Sequence, residues 1–170
     1  RPNAEVPTLV ADNAGDRPAL LVDGEIVEGG LQTRVINVSV LVAAHSQLLI
    51  PVSCVEQGRW NGGDSFQRGR SFAPRRVRRT KNASIGDNVR QSGTKRTDQG
   101  AVWNTVASEL TRMNAPSASG ALTAADTRLD DSRVAQTVDE LCRRGPLPGQ
   151  CGVVVAHGAR MVRRERPVPS

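Results

Sequence analysis

Between Val35 and Val42, apolar side chains return at every second position. Ile36, Val38, Val40 and Val42 fall on one face of an extended chain, and Val35, Asn37, Ser39 and Leu41 on the other. A repeat of two is the strand period; a helix would scatter these residues around its axis. Turn-forming groups recur at short intervals, at Asn13-Ala14-Gly15-Asp16, Asp23-Gly24, Gly29-Gly30 and Ala44-His45-Ser46. Short strands joined by such turns pair with antiparallel neighbours. Residues 1–60 are therefore expected to form an antiparallel β-rich portion, as a sandwich or a curved sheet.

The pattern then changes. Residues 61–97 are rich in Gly, Ser, Arg and Asn and offer little to bury besides Phe66, Phe72, Val77, Ile85 and Val89. They read as a long basic loop, and a loop of this length in a compact domain points to binding or capping. Beyond it, Asp98 can cap a helix whose stripe is Trp103, Val106, Leu110 and Met113. A second helix is expected from about Asp131 to Arg143, with Val134, Val138 and Leu141 inward and Gly145-Pro146 as its stop. This makes 98–145 the helical portion. Residues 146–166 suggest a terminal hairpin around His157-Gly158, and Pro167 and Pro169 bar a helical ending. The expected class is α+β, packed as a single domain over 1–170.

With no Tyr, two Phe and two Trp, the core must be largely aliphatic, and each Trp is either a packing anchor or part of a site. A formal net charge of +6 suits anionic partners. The charge is concentrated: Arg68, Arg70, Arg75, Arg76, Arg78, Arg79, Lys81, Arg90, Lys95 and Arg96 enclose only one acid past Arg68, Asp87, and Arg160, Arg163, Arg164 and Arg166 form a second cluster. Nucleic acid is thus one candidate partner, bound through phosphate neutralisation. The three cysteines Cys54, Cys142 and Cys151 form no C-x-x-C pair, which fits a reducing cytoplasm. No apolar run approaches the ~20 residues that span a bilayer, so no membrane association is expected.

Chemistry concentrates where an apolar strand runs into Ser53-Cys54-Val55-Glu56-Gln57-Gly58-Arg59-Trp60. Thiol, carboxylate, amide, guanidinium and indole groups stand within seven positions there. Cys54 is a candidate nucleophile, but spacing pairs neither His45 nor His157 with it, and a free cysteine on an apolar strand is more often a small buried hydrophobe. Cys54, Cys142, Cys151 and His157 contain no local ligand pair, so no metal site is expected. Glu56 and Glu25 are candidate acid–base groups. Strands carrying Asp23, Glu25, Gln32, Arg34, Asn37 and Glu56-Gln57-Gly58-Arg59 can bring their ends to one rim, where Arg34 and Arg59 would grip a phosphate or carboxylate. The equally weighted alternative is a buried Arg–Glu network that holds the sheet together. Phosphate-binding loops, dinucleotide fingerprints and serine elbows are absent, which leaves the cofactor open.

The segments Leu20 to Glu25, Gln32 to Val42, Ser53 to Trp60, Thr97-Asp98-Gln99-Gly100 with Trp103, Ser119 to Leu122, and Pro148-Gly149-Gln150 occur in one order. Together they resemble the ARG and rhodanese-phosphatase-associated protein domain family, from about Val6 to about Met161. That name refers to ADP-ribosylglycohydrolases and rhodanese-like phosphatases. The resemblance therefore implies a context of ADP-ribose or nucleotide metabolism and carries over no catalytic residue. Ile26 stands where a second acid is expected and Leu31 where a basic residue is usual. Members usually have an upstream segment and a helical tail, so the chain reads as a truncated or divergent member.

The first expectation is an accessory module binding a phosphorylated or nucleotide-like molecule through Asp23, Glu25, Gln32, Arg34, Asn37, Glu56, Gln57, Arg59 and Trp60. The alternatives are an enzyme acting on such a molecule through Glu56 or Glu25, with Cys54 less favoured, a nucleic-acid-binding protein using the basic segment, and a plain scaffold in which Glu56 and Arg59 are buried and mutually paired. Oligomeric state is not specified by the sequence.

Overall fold

A computed structural model describes residues 7–130, 132–150, 154–157 and 160–164. The chain groups into two compact units, 1–128 and 129–170.

The first unit opens with seven strands: β1 Thr8–Asn13, β2 Ala19–Leu21, β3 Glu25–Gly29, β4 Arg34–Ile36, β5 Val40–Val42, β6 Ser46–Cys54 and β7 Phe66–Phe72. Five form a curled antiparallel sheet in the order β1-β6-β4-β3-β7, while β2 and β5 pair separately. The expected α+β class and curved sheet are what the chain adopts. In the register of β4 against β6, Arg34 faces Cys54, Val35 faces Ser53 and Ile36 faces Val52. Side chains alternate between faces, so Arg34, Ile36, Val52 and Cys54 share one side of the sheet. Val35 falls on the other side, in the core with Ile26, Val55, Ala73, Val77, Val102, Val106 and Leu122.

Residues 61–97, expected as a loop, instead form β7 and helix α1, Arg75–Ser92. The buried stripe of α1 is Val77, Lys81 and Ile85, one residue per turn, so a lysine occupies the place where a hydrophobe would have revealed the period. Gly93, at φ 68°, ends the helix in the left-handed conformation that glycine adopts without steric cost. β7 is an edge strand whose Gln67, Arg68 and Arg70 blur the alternation of a half-buried strand.

Helix α2, Gln99–Arg112, follows Asp98, whose carboxylate accepts from the Ala101 N–H at 2.9 Å. Its Val102, Val106 and Leu110 join the core. A 3-10 helix, Leu122–Asp130, begins in this unit and runs across its boundary at residue 128.

The second unit contains helix α3, Ser132–Arg144, and the antiparallel strands β8, Val154–His157, and β9, Arg160–Arg164. Val134, Val138 and Leu141, expected to face inward, are exposed. A unit this short has too little chain to surround a helix. Asp131, Cys151, Gly158, Arg166, Pro167 and Pro169 lie outside the described residues, as do the side chains of Arg160, Arg163 and Arg164.

Ile26, 1% exposed, lies in the core between sheet and helices. Ile26→Ala is expected to lower stability by about 2–5 kcal/mol. Leu20→Ala, at a position 62% exposed, should change it by no more than about 0.5 kcal/mol. Urea-unfolding midpoints of the two variants check the contrast.

Candidate functional site

Glu56, directly beyond β6, is 5% exposed, yet both of its carboxylate oxygens are occupied. Oε2 accepts from the Thr33 backbone N–H at 2.9 Å and the Thr33 hydroxyl at 2.8 Å, and lies 2.8 Å from an Arg59 terminal nitrogen. Oε1 accepts from the Ser119 hydroxyl at 2.8 Å. Arg59 also donates to the Gly30 and Asn61 carbonyls at 2.8 Å each, and to the Gly29 carbonyl at 3.3 Å. One carboxylate thus joins the Gly29–Arg34 stretch, the turn after β6 and the segment around Ser119. Backbone bonds reinforce the last junction: Gly58 N–H donates to Ser119 at 2.7 Å, and Leu122 N–H to Val55 at 2.9 Å.

Burial alone would raise the Glu56 pKa. The hydrogen bond from Arg59 and those from Thr33 and Ser119 outweigh it and hold the carboxyl at about 2, against an ordinary 4.5. It is therefore ionised at neutral pH and has no proton to donate. Beside it, Arg34 donates to the Gln32 side-chain carbonyl at 2.9 Å, and the Cys54 thiol donates to the Glu56 carbonyl at 3.2 Å. Arg34 Nε and Gln32 Nε2 are buried without acceptors. Burial lowers the Arg34 pKa.

The nine expected binding residues separate into groups. Gln32, Arg34, Glu56 and Arg59 meet at this knot, with Cys54. Asp23 and Asn37 belong to a second knot around the fully buried Lys81, whose ammonium donates to Asp23 Oδ1 at 2.5 Å, the Asn37 carbonyl at 2.6 Å and Asn82 Oδ1 at 2.7 Å. Burial pushes the Lys81 pKa down more than Asp23 pulls it up. At Asp23, burial pushes upward, but Lys81, Asn82 and Arg78 bring the carboxyl below its ordinary range. Glu25 stands apart, paired with Arg68 at 2.6 Å. Trp60 is 56% exposed.

Gln57 is also exposed and lines a cleft of about 420 Å³ against α2 and the turn beyond it. Trp103, Val106 and Leu110 supply its apolar wall, while Thr111, Asn114 and Ser117 add polar groups. The Trp103 indole N–H is buried and has no acceptor. Trp103 is expected from its stripe to pack, and the sequence pattern assigns no role to Thr33 or Ser119. Their places beside Arg34 and in Ser119-Gly120-Ala121-Leu122, two of the resemblance segments, were the available signals. Among the described residues, no group of three His, Cys, Asp or Glu side chains can hold a metal ion, and no helix is long and apolar enough to cross a membrane.

Glu56 titrates lower in the folded chain than in the unfolded one. Its contribution is complete above the unfolded value and disappears as pH falls toward the folded value of about 2. Stability should therefore decline below about pH 5, and Glu56→Gln should flatten part of that decline, leaving the Asp23 part. Glu56→Ala should cost about 3–5 kcal/mol at neutral pH, because Arg59 loses a buried partner. Urea midpoints measured from about pH 6 to about pH 2 test both expectations.

No curated protein and no solved structure matches the chain. A family comparison matches residues 2–166. The matched span includes the Glu56 knot, the Lys81 knot and the cleft along α2. The chain belongs to the family of the ARG and Rhodanese-Phosphatase-superfamily-associated Protein domain.

Proposed function

We propose that this domain is a non-catalytic binding module for a small nucleotide-like molecule, held in the cleft between α2 and the turn around Asn114–Gly120. The carrying observation is the cleft itself, where Trp103, Val106 and Leu110 form an apolar wall beside the exposed Gln57. A planar heterocycle offers an apolar face to pack on that wall. The Gln57 and Asn114 amides supply both donors and acceptors at the same cleft. The Glu56 knot serves this reading as scaffold, since it fixes the backbone on which Gln57 stands.

The ADP-ribose context rests on the family's name. Cytoplasmic residence belongs to the same reading and rests on cysteine usage. Phosphate recognition by Arg59 has less support: Arg59 lines a second cleft of about 360 Å³ with Gly62, Gly63 and Ser65, but its terminal nitrogens are taken by Glu56 and the Gly29, Gly30 and Asn61 carbonyls. The enzyme reading through Glu56 or Glu25 has less support, because Arg59, Thr33 and Ser119 occupy Glu56 and Arg68 occupies Glu25. The nucleic-acid reading is favoured by one observation: Arg75, Arg76, Arg79 and Arg90 are exposed on α1.

Calorimetric titration with ADP-ribose, NAD, mononucleotides and a short DNA duplex, at low and high salt, distinguishes these readings. The expected result is salt-tolerant binding of one small nucleotide, weakened roughly tenfold by Gln57→Ala, which removes an exposed amide from the cleft. Binding of the duplex alone, with steep salt dependence, would overturn the cleft reading.

A further inference from the structure

A different face of α2 carries an independent feature. Arg76, Arg79 and Thr80 of α1 and Asn104, Thr105 and Ser108 of α2 line a groove of about 290 Å³ between the two helices. The spacing explains the convergence. Arg76 and Arg79 are three residues apart on one helix, and Asn104 and Ser108 four apart on the other, so each pair presents neighbouring side chains. The Thr105 and Thr80 hydroxyls lie 3.1 Å apart, joining the two walls.

The charge balance of this groove is one-sided. None of its lining residues is an acid, and Glu109, next to Ser108 in the chain, is gripped by Arg112 at both oxygens, at 3.2 and 2.7 Å. Arg76 approaches Glu109 through Nε at 3.4 Å, long for a charge-assisted hydrogen bond. Most of the five donors of its guanidinium are therefore uncommitted among the described residues. The Arg79 side chain has no ion pair or hydrogen bond there. Two guanidinium groups with spare donors, an amide and a hydroxyl thus face a recess with no unneutralised carboxylate. Arginine forks match the spacing of phosphoryl oxygens, and flanking hydroxyl and amide donors complete the coordination.

We infer that the groove between α1 and α2 binds the phosphoryl group of a small phosphomonoester, with Arg76 and Arg79 as its clamp and Asn104 and Ser108 as neutral donors. The site is separate from the Trp103 cleft and stands whether or not that cleft takes a nucleotide. It also differs from a diffuse basic face, because the residues that matter are those lining the recess and not the other arginines of α1.

The experiment is calorimetric titration of the full chain with inorganic phosphate, phenyl phosphate and a short DNA duplex, using the unaltered protein, Arg79→Ala, Arg76→Ala and Arg75→Ala. Arg79→Ala breaks no ion pair among the described residues and keeps the test valid if Arg76→Ala disturbs Glu109. Both phosphates should bind the unaltered protein; Arg79→Ala should weaken them about tenfold or more. Arg75, which does not line the groove, should matter less than about threefold when replaced by alanine. The inference is overturned if neither phosphate binds, or if only the duplex binds. Equal weakening by Arg75→Ala and Arg79→Ala would also overturn it, since attraction would then belong to the whole basic face.

Discussion

The arrangement of the first unit depends on one buried carboxylate. Glu56 accepts four contacts, from Thr33 twice, Arg59 and Ser119, and these reach from residue 33 to residue 119. A charge in so dry a place is tolerated only when every lone pair is used. That requirement makes the knot a strict geometric constraint, because a shift of any partner leaves an ion without solvation. The stretch before β4, the turn after β6 and the segment beyond α2 consequently hold one mutual position. The backbone carrying Gln57 follows from it.

A second constraint of the same kind lies where α1 meets the sheet. Lys81 is buried among Asp23, Asn82 and the Asn37 carbonyl, so a cation takes the middle of the helix's inward stripe. Long aliphatic stems bury well while their ends seek polar partners. Here the partners come from the turn before β3 and the strand-end carbonyl beyond β4. The lysine therefore fixes the helix at one position along the sheet, whereas an apolar residue would permit several.

This accounts for what could be read from the sequence. The closely spaced turns and the period of two announced antiparallel strands, although the run Val35–Val42 divides into β4 and β5, which lie in separate sheets, and the Asp98 cap with Val106 and Leu110 announced α2. α1 was hidden by Lys81, whose role depends on acceptors more than forty residues away. β7 was hidden because edge strands carry polar side chains. At the site, residue types around Glu56 were visible as a dense chemical cluster, but their grouping was not. Asp23 and Asn37 went to Lys81 and Glu25 to Arg68, partners more than forty residues away in the chain. Trp103, expected as packing, forms part of the wall of the cleft along α2.

The side chain of Gln99, the first residue of α2, accepts from the Cys54 N–H at 2.9 Å and donates to the Cys54 carbonyl at 2.8 Å. That reciprocal pair imitates one rung of a β-ladder, with a side-chain amide standing in for a neighbouring strand. The helix thereby acts as a splint on the end of β6. Its first turn cannot loosen without uncovering both peptide groups of Cys54, two residues before Glu56. Fraying at the start of α2 and opening at the end of β6 are consequently a single event, and the amide proton of Cys54 can meet solvent only when that joint opens.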